Sequence, residues 1–429
     1  MAALSTCPPL TRSSVQAAHL RISKHIHKTP IVTCQTLNQV ASTPICSRSA
    51  EFTPRASSSS IEHDIRPKVT LEESTANPQI NIFFKCENQQ RIGAFKVRGA
   101  FHALGRLIEM EGLEAVRRKG VVTHSSGNHA QALALAAKTY GIPAHIVMPR
   151  ISTTSKIAGT QRQGANVIFS GSTSDEREAA VADVIAQTGA ILIPPYDHPD
   201  IMLGQGTLAL ELEEQVQTLL KTNPDLDINS QSTSSSSNPE EDAGGHLDAI
   251  ITTCGGGGML SGLCTAMSGT GVHVFGAEPR HQGANDAERG LAARPPTRIT
   301  RVKSLTVADG ARTPVGLHPW GVISDAGRCA GVYSADEEQI ALALRLAMER
   351  AKLFIEPTAA LPLAVVLFNE AFRRRVVELL EQRNAAAGRD GRTPRKGWNL
   401  GVVLSGGNTT MEALAKIFGE EDGGDRARL

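Results

Sequence analysis

Short apolar runs rich in β-branched residues alternate along this chain with longer stretches whose apolar positions recur at helical spacing. Runs of the first kind are Ile80 to Phe84, Gly120 to Thr123, Ala144 to Met148, Asn166 to Phe169, Ala249 to Thr252, His273 to Phe275 and Leu400 to Leu404. Stretches of the second kind are His129 to Tyr140, Glu176 to Thr188, Asp336 to Lys352 and Ala359 to Glu370. The alternation predicts an α/β fold on parallel sheets with helices on both faces. No internal repeat of fixed period is present. Two segments break the pattern. Residues 41–77 are rich in Ser, Thr and Pro, and 228–245 hold a serine run followed by acids and glycines. Neither can bury enough apolar surface to offset ordering entropy, so both are expected to be disordered surface insertions.

Composition narrows the class. The chain has 429 residues, with 44 basic against 43 acidic side chains and a net charge of +1. That balance gives no field for nucleic acid or an anionic membrane. Apolar stretches such as Ala359 to Phe368 are too short to span a bilayer. Seven cysteines, an odd number without a Cys-x-x-Cys, point to a reducing compartment. The N-terminal stretch has no acid before Glu51 and carries Arg12, Ser13 and Ser14, a composition found in transit peptides. It lacks an apolar h-region, and structured patterning begins by about Val15, so a cytoplasmic enzyme is expected.

Candidate chemistry sits at the ends of the apolar runs. Gly255, Gly256, Gly257 and Gly258 separate Ala249-Ile250-Ile251 from a helical stretch opening at Met259. A strand, a glycine loop and a helix N-terminus together aim backbone N–H groups and a positive dipole at one spot, which suits a phosphate. Two more small turns follow apolar runs: Ser125-Ser126-Gly127-Asn128-His129 and Ser405-Gly406-Gly407-Asn408. Ligands of open α/β sheets bind at that strand edge. Lys96, in Gly93-Ala94-Phe95-Lys96-Val97-Arg98-Gly99, is on its own an ordinary solvated charge, but the three turns give it a possible ligand. A nicotinamide-binding oxidoreductase is the rival, with Glu278 placed for a ribose. Gly-x-Gly-x-x-Gly is not met, because Leu260 or Ser261 falls at the last position.

Taken in order, these stretches resemble the fold-type II pyridoxal-phosphate enzymes, in the branch of serine racemase and the serine/threonine dehydratases. The resemblance runs through Ala17 to Gln39, Ile82 to Leu104, Val121 to Pro149, Gly204 to Leu212, Ala249 to Pro279, Val307 to Trp320, Ile355 to Ala360 and Val403 to Asn408. It implies that Lys96 forms the Schiff base with pyridoxal 5'-phosphate and shuttles the substrate α-proton. It implies that Gly255 to Gly258 and Met259 hold the phosphate, Asn128 the ring oxygen and Ser405 the ring nitrogen, with Phe95 beside the ring. Ser125, Ser126 and His129 would surround the substrate carboxylate. A neutral hydroxyl such as Ser405 stabilises a pyridinium less than a carboxylate does, which favours prompt loss of a β-leaving group.

The implied reaction is β-elimination from a small hydroxyamino acid, L-serine, L-threonine or 3-hydroxyaspartate, giving a 2-keto acid and ammonia. Ser126 occupies the position of the second acid in serine racemase, so racemisation is open as a further or main activity. Arg177 matches an active-site arginine of the hydroxyaspartate lyases; the alternative is an exposed charge in a first helical turn. A divalent cation, magnesium or calcium, is implied at Glu278, Ala284 and Asp286, although Arg280 to Gly283 run two residues longer than the family pattern. Gln163 stands where animal serine racemase stacks ATP on a tyrosine, so nucleotide activation is not expected. Only 21 residues follow Asn408, so the isoleucine-binding domain of threonine deaminase is not expected either. The expected architecture is a large domain of 1–119 and 190–429 with a small domain of 120–189, the cofactor between them, and a homodimer. A catalytically silent cofactor-binding relative would carry the same residues.

Overall fold

The computed structural model describes residues 4–54, 75–125, 127–152, 154–171, 174–230, 245–389 and 394–419. Ten strands run through them: β1 (Ile31–Val32), β2 (Ile80–Cys86), β3 (Val121–His124), β4 (Ala144–Pro149), β5 (Asn166–Ser170), β6 (Ile191–Leu192), β7 (Ala249–Thr253), β8 (His273–Pro279), β9 (Gly331–Ala335) and β10 (Trp398–Leu404). They form a six-stranded sheet in the order β1-β2-β10-β7-β8-β9 and a four-stranded sheet in the order β5-β4-β3-β6. All neighbours are parallel except the antiparallel pair β1 and β2.

Burial explains the composition. Every residue of β2, β7 and β10 is buried, as expected of parallel strands covered on both faces. The Pro357–Phe368 helix is buried along its whole length and packs under β7 to β10. It begins with proline at its first position and ends at Phe368, with Asn369 as its C-cap, a little earlier at both ends than the apolar pattern indicated.

One helix organises the site. Pro199–Thr222 crosses both Lys96–Glu111 and Gly258–Met267, and glycines make the crossings possible. A Cβ on Gly204 would lie 2.7 Å from the Gly99 Cα, and one on Gly262 would lie 2.3 Å from the Met202 carbonyl oxygen. Beneath Lys96, the buried Arg98 guanidinium bonds Glu87 and Glu211, and buried Lys85 shares Glu211 at 2.8 Å. Burial alone would raise Glu211, but Arg98 and Lys85 outweigh it and push the carboxyl down to about 2.

The insertions are shorter than their composition implied. Residues 41–54 carry two 3-10 turns, Ile45 is buried, and Arg48 Nη1 donates to the Leu367 carbonyl at 2.6 Å. Asn229 is likewise buried and accepts from the backbone N–H groups of Lys396 and Gly397. The serine-rich parts, 55–74 and 231–244, lie outside the described residues.

Candidate active site

Lys96 opens its helix at the cleft between the two sheets, directly after Phe95, whose N–H donates to the Ser405 carbonyl at 3.1 Å. Its Nζ donates to the Pro195 carbonyl at 2.9 Å and stands 5.3 Å from the centre of the Phe95 ring. Part of the side chain remains open to the cleft, yet burial of the amine disfavours its charge and pushes it down to about 8. An amine with that pKa is partly neutral, and therefore nucleophilic, near physiological pH.

The glycine loop lies where β7 ends. Gly257 has φ 83°, a conformation that L side chains resist, and it precedes the Gly258–Met267 helix. A Cβ on Gly256 would come within 2.4 Å of the Tyr196 ring. Tyr196 therefore covers the loop, one residue from the carbonyl that holds Lys96.

The third turn closes the site. The hydroxyl of Ser405 is buried without a hydrogen-bond partner among the described residues. Asn408 Nδ2 donates to both the Ile92 carbonyl and Asn128 Oδ1, each at 2.8 Å. Asn128 Nδ2 in turn donates to Glu356 Oε1 at 2.9 Å. Three turns distant in sequence thus meet at Lys96.

Other predicted residues stand as follows. His129 is buried, and burial first and the Lys96 charge second push its ring down to about 3. Its Nδ1 has no hydrogen-bond partner, so it offers this cleft a neutral imidazole. Ser125 Oγ accepts from the Gly127 N–H at 3.2 Å, whereas Ser126 lies outside the described residues. Arg177 is brought toward the site, because its charge acts on both His124 and Tyr196. Glu278 and Asp286 are buried together; burial first and their mutual repulsion second raise Glu278 well above its ordinary value. Glu278 accepts from the backbone N–H groups of Ala287 and Glu288, and Asp286 from Val315. Ala284 is buried beside them in sequence, and a turn with positive φ at Gln282 and Gly283 precedes it.

Pro195, Tyr196, Lys156, Asp309 and Glu356 received no role from sequence. Only Glu356 carried a signal, a lone carboxylate in the apolar stretch Phe354 to Leu363. A cavity of about 840 Å³ among Arg12, Glu213, His246, His273 and Arg383 holds none of the site residues.

Residues 63–379 match the family model of the pyridoxal-phosphate dependent enzymes. This chain belongs to that family. It is 33% identical over 411 residues to the serine racemase of Dictyostelium discoideum, with 95% of this chain and 98% of that one covered. It is 35% identical over 346 residues to the L-threo-3-hydroxyaspartate ammonia-lyase of Saccharomyces cerevisiae, covering 80% of this chain and 87% of the other. The solved structure of maize serine racemase superimposes with a TM-score of 0.68 at 29% identity, covering 96% of this chain and 97% of that one. The fold is therefore that of the fold-type II enzymes, and the nicotinamide reading is not favoured. Among the described residues, no helix is long and apolar enough to cross a membrane.

The cleft fits the cofactor of the family on its own chemistry. A buried hydroxyl without a partner, at Ser405, calls for an acceptor or donor from outside the chain. The glycine loop leaves N–H groups at a helix N-terminus, and a lysine with a depressed pKa is held by Pro195, the neighbour of the Tyr196 that covers the loop.

Proposed function

We propose that this protein eliminates water from a small hydroxyamino acid such as L-serine, L-threonine or 3-hydroxyaspartate, yielding a 2-keto acid and ammonia. The convergence of Lys96, the glycine loop, Asn128 and Ser405 on one cleft carries the reading. Lys96 would hold pyridoxal phosphate covalently, Gly255 to Gly258 and Met259 its phosphate, Asn128 and Ser405 its ring, and Phe95 one side of it. When bound, that cofactor supplies the electron sink that loosens the α-proton and lets the β-hydroxyl leave. Lys96 Nζ takes the α-proton. Ser125 and His129 frame the carboxylate, and Arg177 supports a second carboxylate such as that of 3-hydroxyaspartate. The β-hydroxyl leaves as water with the proton that Lys96 took from Cα, and one further water hydrolyses the released enamine to keto acid and ammonia.

A racemase reading stands beside this one because the most similar relatives include serine racemases. It assigns Ser126 as the acid on the opposite face, and Ser126→Ala should then abolish D-serine formation while sparing elimination. Equal loss of both products would remove that assignment. We further propose a divalent cation, magnesium or calcium, at Glu278, Ala284 and Asp286, supported by the repulsion between the two buried carboxylates. Removal of metal by a chelator should lower the melting temperature, and readdition should restore it. The small domain of 120–189, homodimeric assembly and a cytoplasmic location complete the reading. Light scattering tests the assembly.

The deciding experiment is borohydride reduction of the purified protein. A visible absorbance band should vanish and the pyridoxyl adduct should map to Lys96. An adduct on another lysine, or none, would overturn the proposal.

A further inference from the structure

Glu356 is the N-cap of the Pro357–Phe368 helix, yet its side chain does not cap it. The carboxyl turns instead toward Asn128, and the residue is 3% exposed. Oε1 accepts from Asn128 Nδ2, and Oε2 is buried without a hydrogen-bond partner. The carboxyl also presses on the Ser405 turn, since a Cβ on Gly406 would lie 2.5 Å from Oε1. A buried acid that does not cap its helix, and instead faces Asn128, the Asn408 backbone and the Lys156 charge, has another task.

Counting the hydrogens of Asn128 identifies it. A carboxamide offers two N–H donors and one acceptor oxygen. Asn408 Nδ2 occupies the oxygen and Glu356 occupies one N–H, which leaves a single N–H. Turning the amide over would set donor against donor at Asn408 in either state of Glu356, and oxygen against oxygen at an ionised Glu356. The two neighbours therefore fix one orientation, and Asn408 is itself fixed by the Ile92 carbonyl on the turn leading to Lys96.

We propose that Glu356 is a positioning residue for the cofactor: by holding one amide hydrogen of Asn128, it leaves the other as the single donor to the ring oxygen. The inference rests on the cofactor reading above and adds a residue that does not touch the ring. A carboxyl group in either protonation state, or a glutamine, can accept from Asn128; an alkyl chain cannot.

The test is a double-mutant cycle on pyridoxal phosphate affinity of the apoenzyme, followed by fluorescence quenching. Glu356→Ala and Asn128→Ala should each raise the Kd by roughly tenfold, and the double variant should be no weaker than Asn128→Ala alone. Glu356→Gln should stay within about threefold of the wild type. Should Glu356→Ala not fold, Glu356→Met keeps the volume without the acceptor and takes its place in the cycle. A fully additive double variant, an unchanged Kd in Glu356→Ala or Glu356→Met, or a Gln variant as weak as Ala would each overturn the proposal. Adduct formation on Lys96 of the wild type separates the two readings. Its failure overturns the functional reading and this inference together, whereas uptake by the wild type with an unaffected Glu356→Ala overturns the inference alone.

Discussion

On the proposed reading, Lys96 must lose a proton before it attacks the cofactor aldehyde, and its pKa then sets when the apoenzyme is loaded. Burial pushes the amine down to about 8 from 10.5. The rate of cofactor uptake, measured by stopped-flow absorbance, is therefore expected to rise with pH and level off above about 8. A rise that continues toward pH 10 would show an ordinary solvated lysine. Glu356 works in the opposite direction. Burial first and repulsion from Asp309 second raise its carboxyl to about 7, with Lys156 and the Asn128 hydrogen bond opposing. Between pH 4.5 and 7 the folded state then binds more protons at this position than the unfolded chain, so stability falls as pH rises through that window. Glu356→Gln has no such proton to lose. Its unfolding free energy, from urea titrations, should be flatter with pH across the same window than that of the wild type.

Elements carry those residues only because helices approach unusually closely. The Gly262 Cα sits against the Met202 carbonyl, and the listener on the other side is backbone, which cannot rotate away. Gly262→Ala would place a Cβ 2.3 Å from that oxygen and 2.8 Å from the Gly206 nitrogen. Overpacking of this kind should cost about 1–3 kcal/mol, read as a lower urea midpoint with an unchanged m-value. Pro199–Thr222 shows why part of the architecture was hidden in the sequence. Its Gly204-Gln205-Gly206 reads as a helix breaker, yet the glycines are demanded by neighbours about a hundred residues away in sequence at Gly99 and about fifty away at Gly262. By contrast, β2, β7 and β10 were legible as apolar runs because burial on both faces leaves a local signature. Ile31–Val32 and Ile191–Leu192 are two residues long and leave none. Within the site, Gly255 to Gly258 announced themselves by composition. Glu356, Lys156 and Asp309 could not, because a single charge in sequence does not say what it faces.

At the scale of the molecule, the two sheets are joined across the cleft by a charge pair. Lys156, on the Thr154–Arg162 helix between β4 and β5, bonds Asp309, which lies between β8 and β9. Thr358 Oγ1 steadies the same carboxylate at 3.4 Å, and the Lys156 side chain passes beside Gly127 in the turn that follows β3. The Asp309 side chain is 38% exposed, so the pair is screened and contributes little to global stability, about 1 kcal/mol or less. Its effect belongs to the relation between the sheets instead. Lys156→Met should leave the urea midpoint nearly unchanged while amide exchange rises in the Thr154–Arg162 helix and at Gly127, with β7, β8 and β10 protected as before. The change should be mimicked in the wild type by high salt, because the exposed partner is accessible to ions. Exchange that rises equally in both sheets would mean that the pair supports the whole fold, and exchange that rises in neither would leave the closure of the cleft to packing alone.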